Sequence, residues 1–512
     1  MIGLYKSVME YIIVQAGGKG TRLKHLTENK PKALVPVDNL PMLFHLFRKY
    51  PDKRYVIIAD YKKEVMREYL DAFADVKYDV VDASGSGTCA GVKQAIRLLP
   101  NNKPFMLVWS DLILPTNFKL PDEYEENKRE ISNYVGISQS FACRWKYENG
   151  VFTEETSIEN GVAGLFLFKD KSVIKKIPES GELVRWLSKS DILFDTIGLA
   201  GTKEFGLLEE YEKFGTSKCR PFNKITIQGS YVIKEPLDNQ GIALAKRECA
   251  WYEKAKDLGI DALPLIYDTQ PLKMEFIEGK NIYECNLGFV EKKSILEKLV
   301  TSLNKVHSSE CVEADTFSIK EAYFNKTFDR LAKIQDLVPY GREKHIVVNG
   351  RVCRNVYFYK RELERMIDRL VENCQKFEFI HGDCTFSNMM LRANGNPVII
   401  DPRGYFGYSE MYGDTRYDWA KVYYSIIGNY DQFNLKKFKL KILENNRVEL
   451  NIESNHWEDM AGIFLKMIDA DEYEIKLLHA LIWLSLTTYA WQDYDSICGA
   501  FYNGLYYLEE VL

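Results

Sequence analysis

At 512 residues the chain is too long for one hydrophobic core and implies two or three domains. Its net charge of −5 and the lack of any Lys/Arg-rich tract argue against a nucleic-acid partner, so any bound phosphate needs local basic residues and Mg²⁺. Ten cysteines scattered from Cys89 to Cys498 without a CxxC pair read as reduced thiols rather than a disulfide framework or zinc site. The opening MIGLYKSVMEY lacks the apolar core of a signal peptide. The longest apolar helix candidate, residues 477–491, falls short of the ~20 residues that span a bilayer. A cytoplasmic protein without membrane insertion is expected.

Residues 11–14 form a short apolar run, read as a buried first strand. It breaks into Gly17, Gly18 and Gly20, with Lys19 between them and Thr21 and Arg22 after. Glycines let a backbone turn tightly and approach a ligand, and successive free N–H groups there hold an anion. Arg22 and Lys32 add the positive charge that a polyphosphate needs, and Pro31 orders the chain before Lys32. A P-loop fails because its first glycine would be Ile13, and a dinucleotide GxGxxG from Gly18 fails because its third glycine is Leu23. The pattern that fits, GGxGTRLxxxTxxxPKxLxPV, resembles the signature of the sugar-phosphate nucleotidyltransferases, which make an NDP-sugar from an NTP and a sugar phosphate.

Strands at 55–59, 78–81 and 105–109 then alternate with helices at 62–73 and 89–98. This rhythm predicts an α/β domain, a doubly wound, mostly parallel, Rossmann-like sheet over residues 1–210. Ligands in such sheets bind at the carboxyl ends of strands, so the loops leaving strands carry the information. Gly87 and Thr88 lie in one, GSGT, which resembles the family's loop facing the nucleotide base. Asp111 ends FMLVWSD and resembles the family's metal-binding aspartate, where a carboxylate would hold Mg²⁺ against a triphosphate. The resemblance implies Asp195, followed by Gly198 and GTKE at 201–204, as the second metal aspartate, with a few residues inserted. Glu159 and Asn160, before a strand at 163–168, look like the sugar-phosphate contact; a surface hairpin explains them nearly as well.

Residues 211–223 are polar and irregular, and the domain boundary is placed there as a linker. A hairpin follows at 224–228 and 231–234, carrying Lys234, and then an amphipathic helix at 242–258 carrying Glu248. A strand lysine paired with a helix glutamate is how kinases orient the α/β-phosphates of ATP. Further on, FIHGDCTFSNMMLRANGNPVIIDPRG holds Asp383, then Asn388, then a strand ending at Asp401. This resembles the catalytic loop and metal aspartate of the aminoglycoside phosphotransferase and choline kinase family, with GD at 413–414 and YDWA at 417–420 matching its next helix start. The resemblance implies a two-lobed, protein-kinase-like domain over 224–512, with a small lobe about 224–280 and a large lobe about 281–512. It makes Asp383 the base, and Asn388 and Asp401 the holders of Mg²⁺. His381 reads as structural. No convincing glycine-rich loop precedes Lys234; Gly215, Thr216 and Ser217 are the only candidate, and Ser217, Lys218 and Arg220 could contact phosphate. C-terminal aromatics, Trp419, Tyr423, Tyr424, Trp457, Trp483, Tyr489 and Trp491, read either as core or as a box for a quaternary ammonium.

Together these resemblances imply a bifunctional enzyme. ATP phosphorylates a small hydroxylated molecule, a sugar at its anomeric hydroxyl first, and NMP transfer from a second NTP (CTP or UTP ahead of GTP) follows, in cell-surface polysaccharide synthesis. Choline, ethanolamine or a polyol is the alternative acceptor. A retired domain serving as a regulatory module is the alternative class, and homo-oligomerisation is left open.

Overall fold

The computed structural model describes residues 9–125, 131–214 and 223–512. The chain divides into two units, residues 1–216 with 492–494, and residues 217–491 with 495–512.

In the first unit β1 (Tyr11–Gln15), β2 (Arg54–Ala59), β3 (Lys77–Asp82) and β4 (Phe105–Trp109) run parallel in the order β3-β2-β1-β4. The crossovers contain α1 (Met42–Lys49), α2 (Lys63–Phe73) and α3 (Thr88–Ala95). Ile12, Ile13 and Val14 are all buried, so β1 is covered on both faces, which is why it reads as an unbroken apolar run. The sheet continues through β5 (Tyr134–Ser138), β6 (Lys146–Glu148), β7 (Val151–Thr153), β8 (Gly161–Phe168) and β9 (Asp195–Gly198). β8 is antiparallel to β4, β5 and β6, while β9 is parallel to β5. Among the described residues this makes one nine-stranded sheet, parallel at one side and mixed beyond β4.

α4 (Leu208–Phe214) is the last element described before residue 215. The first residues assigned to a linker, 211–214, thus complete a helix. Residues 215–222 of that stretch, with Gly215, Thr216, Ser217, Lys218 and Arg220, lie outside the described residues, and Asn223 begins the next strand.

The second unit opens with β10 (Asn223–Gln228), β11 (Tyr231–Pro236), α5 (Asn239–Asp257), β12 (Ile266–Thr269) and β13 (Leu272–Glu275). The strands form an antiparallel sheet in the order β10-β11-β13-β12. Asp238 caps α5 by accepting from Gly241 N at 2.8 Å. The larger lobe contains α6 (Phe289–Ser308), α7 (Lys326–Ile334), β14 (Lys376–Phe379), the antiparallel pair β15 (Met389–Leu391) and β16 (Pro397–Ile399), α8 (Thr415–Ile426) and α9 (Glu472–Leu486). The two lobes share a core. Trp251 of α5 stacks on Phe379 with ring centroids 5.0 Å apart, and its indole N–H donates to Ile380 O at 2.8 Å. Trp419, Tyr423, Tyr424, Trp457 and Trp483 are buried and serve as core. No helix among the described residues is long and apolar enough to cross a membrane.

β8 is buried along its whole length, and Gly164 within it has φ +87° where its pairing with β5 shifts between Val162 and Phe166. A Cβ there would run into the Trp109 indole, 2.7 Å from Cγ. Gly164→Ala therefore adds both backbone strain and a clash, and is expected to cost about 3 kcal/mol. Thermal unfolding of the full chain should show the transition of the first unit moved down by roughly 6–12 °C; an unshifted transition would show that β8 tolerates a side chain there.

Candidate active sites

The first site lies at the carboxyl end of the parallel strands. After β1 the chain turns through Gly17, packed so closely on Asp60 that a Cβ would come 2.9 Å from the Asp60 Cβ, and through Gly20 at φ +65°. A Cβ at Gly20 would lie 3.0 Å from that of Lys32, so the glycine permits the two segments to meet. A cavity of about 300 Å³ opens here, lined by Gly18, Gly20, Thr21, Arg22, Lys32, Thr88 and Asp111. Lys19 does not line it; its ammonium lies 5.5 Å over the Tyr61 ring.

Lys32 Nζ forms an ion pair with Asp111 Oδ2 and lies 4.0 Å from Glu204 Oε1. Glu204 arrives through a two-residue antiparallel ladder in which it pairs with Leu112 and Lys203 with Ile113. Burial and the neighbouring Asp111 charge raise the pKa of Glu204, with Lys32 opposing them. Asp111 Oδ1 is buried with no hydrogen-bond partner among the described residues. A Cβ on Gly206 would meet the Glu204 carboxylate and come within 3.0 Å of Arg22 Nη2, so Arg22 borders the same pair.

The expected pairing of Asp195 with Asp111 is corrected by the strand register. Asp195 begins β9 opposite Tyr134, the first residue of β5, level with the start of β4; Asp111 follows the other end of β4. The carboxylate that reaches Asp111 is Glu204, in the GTKE stretch beyond Asp195. Glu159 and Asn160 precede β8 on the Asp111 side of the sheet. Glu159 is exposed, and Asn160 bonds locally, its N–H to Ser157 Oγ at 3.1 Å and its carbonyl to Tyr147 N at 2.9 Å. Gly87, at φ +84°, packs on Gly181 with no room for a Cβ. Gly181 N donates to Ser86 O at 2.8 Å, and Leu183 N donates to Thr88 Oγ1 at 2.7 Å. The glycine-rich loop is thereby clamped by residues 179–183, which carry no motif.

The second site lies between the lobes of the second unit. Lys234 Nζ of β11 is 2.7 Å from Glu248 Oε2 of α5 and 2.8 Å from Asp401 Oδ1. Burial opposes the lysine's charge, but Asp401 and Glu248 together raise its pKa. Burial and Asp401 push Glu248 up to about 8. Asp401 itself has φ +56°, a conformation rare outside glycine, which turns the chain just beyond β16.

Asp383 is held from two sides. Lys421 Nζ of α8 pairs with its Oδ1 at 3.0 Å, and Asn388 Nδ2 donates to its Oδ2 at 3.0 Å and its carbonyl at 2.9 Å. The loop bearing Asp383 is anchored on Asp418, which is fully buried. Asp418 accepts from His381 N at 2.9 Å and Gly382 N at 2.7 Å, and His307 Nε2 lies 3.0 Å away. Burial would raise the pKa of Asp418, but these donors hold it below the usual value. His381 is buried and its pKa is lowered by that burial. Its Nε2 donates to Ile400 O at 2.9 Å, leaving Nδ1 to accept from Asp383 N at 3.3 Å. The neutral ring thus ties the Asp383 loop to the Asp401 turn.

Residues 11–139 match the family model described as nucleotidyl transferase, and residues 226–433 the one described as phosphotransferase enzyme family. The chain therefore joins two transferase-family domains, both of them enzyme families. Among curated relatives, the UTP–glucose-1-phosphate uridylyltransferase AglF of Haloferax volcanii is 45% identical over 62 residues, 12% of this chain and 26% of the relative. The bifunctional protein GlmU of Methanocaldococcus jannaschii is 28% identical over 186 residues, 33% and 43% of the two chains. The D-glycero-alpha-D-manno-heptose 1-phosphate guanylyltransferase of Campylobacter jejuni is 31% identical over 94 residues, 17% and 42%. Each match covers less than half of the relative's length.

The sequence reading missed Glu204 and Lys421, although Glu204 stands in the GTKE stretch and Lys421 lies one turn past Asp418 on α8. Asp418 is read only as part of a helix start, yet its charge organises the loop. Removing it while keeping its shape, Asp418→Asn, should cost about 3 kcal/mol at neutral pH, seen as faster amide exchange across residues 379–390. Because its folded pKa is depressed, its stabilisation is present above the unfolded value near 4 and fades as pH falls below it. The difference between wild type and Asp418→Asn should therefore shrink between about pH 5 and pH 3; a constant difference would mean the residue is not ionised in the fold.

Proposed function

We propose that the second unit phosphorylates a hydroxyl of a small sugar with ATP, and that the first unit converts the resulting phosphomonoester into an NDP-sugar with release of pyrophosphate. The observation that carries the reading is the convergence of Lys234, Glu248 and Asp401 from distant segments, with His381 tying the Asp401 turn to the Asp383 loop. A kinase site and a nucleotidyl-transfer site on one chain are chemically sequential, since the product of the one is a substrate of the other. Products of this kind are donors for cell-surface polysaccharide, the pathway proposed here.

In the kinase step the acceptor oxygen attacks the γ-phosphorus of ATP, ADP leaves, and Asp383 takes the hydroxyl proton. Lys421 pairs with Asp383 and fixes its rotamer, while Lys234, held by Glu248, faces the phosphates of ATP. In the second step a phosphate oxygen of the product attacks the α-phosphorus of an NTP and pyrophosphate leaves. The Gly17–Gly20 turn, with Thr21, supplies backbone N–H groups, and Arg22 and Lys32 neutralise developing charge. Thr88, which lines the same cavity, would face the base.

Both sites offer the hard oxygen donors that suit Mg²⁺. At the first, the orphaned Asp111 Oδ1 beside Glu204 fits the ion; at the second, Asp401 and Asn388 would hold it. Bound there, Mg²⁺ would neutralise phosphate charge. Intact charged groups at both sites weigh against a retired domain. Of the aromatics that could form a quaternary-ammonium box, Tyr424 already faces a cation, with Lys421 Nζ 5.4 Å from its ring centroid.

Asp383→Asn should lower ATP-dependent phosphorylation roughly 10²–10⁴-fold while pyrophosphate release from a supplied sugar phosphate continues. Asp111→Ala should do the reverse, and Glu204→Gln should share its direction. Product masses with each of the four NTPs and a sugar panel read both activities. Unaltered phosphorylation by Asp383→Asn, or undiminished pyrophosphate release by Asp111→Ala, would remove that site from the scheme.

A further inference from the structure

The kinase site is surrounded by more positive charge than its own carboxylates balance. Lys326 and Arg330 stand one turn apart on α7 and so project to the same side. Arg403 follows the Asp401 turn, and Lys421 comes from α8. Most of these cations have defined companions. Lys421 pairs with Asp383 at 3.0 Å. Arg403 donates to Tyr417 Oη at 3.0 Å and Tyr405 Oη at 2.7 Å, and Arg330 donates to Ser485 Oγ at 3.2 Å. Tyrosine and serine oxygens satisfy hydrogen bonds but carry no compensating charge, and the one carboxylate acting on Arg403 is Asp383, which Lys421 already engages. The Lys326 ammonium has no hydrogen-bond or ion-pair partner among the described residues. Burial, then Arg403, Arg330 and Lys421, press its pKa well below the ordinary lysine value, against the weaker pull of Glu321.

Clustered like charges in a poorly solvated site are unfavourable unless an anion joins them. The γ-phosphate of ATP is one candidate, but the Mg²⁺ that Asp401 and Asn388 would hold serves that group. The charges acting on Lys326 come instead from Arg330, Arg403 and Lys421, on the side from which Lys421 grips the proposed base.

We propose that the kinase acceptor carries a carboxylate or phosphate group, which Lys326, with Arg330 and Arg403, receives while its hydroxyl faces Asp383. The proposal rests on the kinase reading above and narrows its substrate to an acidic or already phosphorylated hydroxy compound, excluding choline. In the reaction the acceptor's hydroxyl oxygen bonds to the γ-phosphorus, the bond from that phosphorus to the β–γ bridging oxygen breaks, ADP departs, and Asp383 receives the proton. The acceptor's anionic group is unchanged.

The test titrates the full-length protein, with Mg·ADP bound, against matched compounds by calorimetry. One set is glucose, glucuronate and glucose 6-phosphate; another is glycerol, glycerate and glycerol 3-phosphate; choline stands alone. An anionic member should bind at least about tenfold more tightly than its neutral partner. Lys326→Gln should abolish that preference, Lys326→Arg should retain it, and both should bind Mg·ADP as wild type does, which also reports folding. With ATP, Lys326→Gln should raise the KM of the preferred anion about tenfold with little change in kcat. Carboxylate and phosphate members separate the two sources of charge. Binding of a neutral compound or choline as tightly as the anions, binding of no anion, or a Lys326→Gln defect confined to Mg·ADP would each overturn the proposal. If Asp383→Asn still phosphorylates the bound anion, the kinase reading fails while the anion site stands.

Discussion

A charge removed from water must be met by the chain itself, and Asp418 shows how much of the second unit follows from that requirement. Its carboxylate has no exposed surface, and His307 and the N–H groups of His381 and Gly382 converge on it. Satisfying the buried anion fixes the backbone of the loop in which Asp383 stands. His381, neutral in the same interior, passes the constraint on to the Asp401 turn. One turn along α8 from Asp418, Lys421 reaches Asp383 itself. One helix face therefore holds both the anchor of the loop and the lysine that pairs with the proposed base.

The same requirement operates at Lys234, where two carboxylates from different segments hold one ammonium. It relates the small-lobe sheet, α5 and the end of β16 by a shared charge rather than by apolar contact alone. Where the requirement is not met from within, at Lys326, the imbalance points outward to a ligand.

In the first unit the organising constraint is directional. Parallel strands covered on both faces bring their loops to one edge, and glycines at 17 and 20 let separate loops come within van der Waals reach of one another. Asp111 and Glu204 meet at that edge because each follows or ends a strand, and Lys32 reaches it from the turn after Pro31. Asp195 is excluded from it because it stands at a strand's beginning.

The sequence by itself determined the parts of this protein that depend on local chemistry. The glycine turn after β1, the run delivering Asp111, the hairpin carrying Lys234 and the Asp383–Asn388–Asp401 spacing are all short-range patterns, and the alternation of apolar runs with helices follows from burial on both sheet faces. Tertiary structure alone decided which distant charges meet. Strand direction selected Glu204 over Asp195, because parallel and antiparallel pairings place equal-looking acidic residues at opposite edges. Packing of α8 under the Asp383 loop gave Lys421 its role, and the facing of α7 toward Arg403 gathered Lys326 into a basic cluster. The aromatics of the C-terminal region were ambiguous as text because helical spacing suits a core and a binding box equally; burial against α8 and α9 made most of them core.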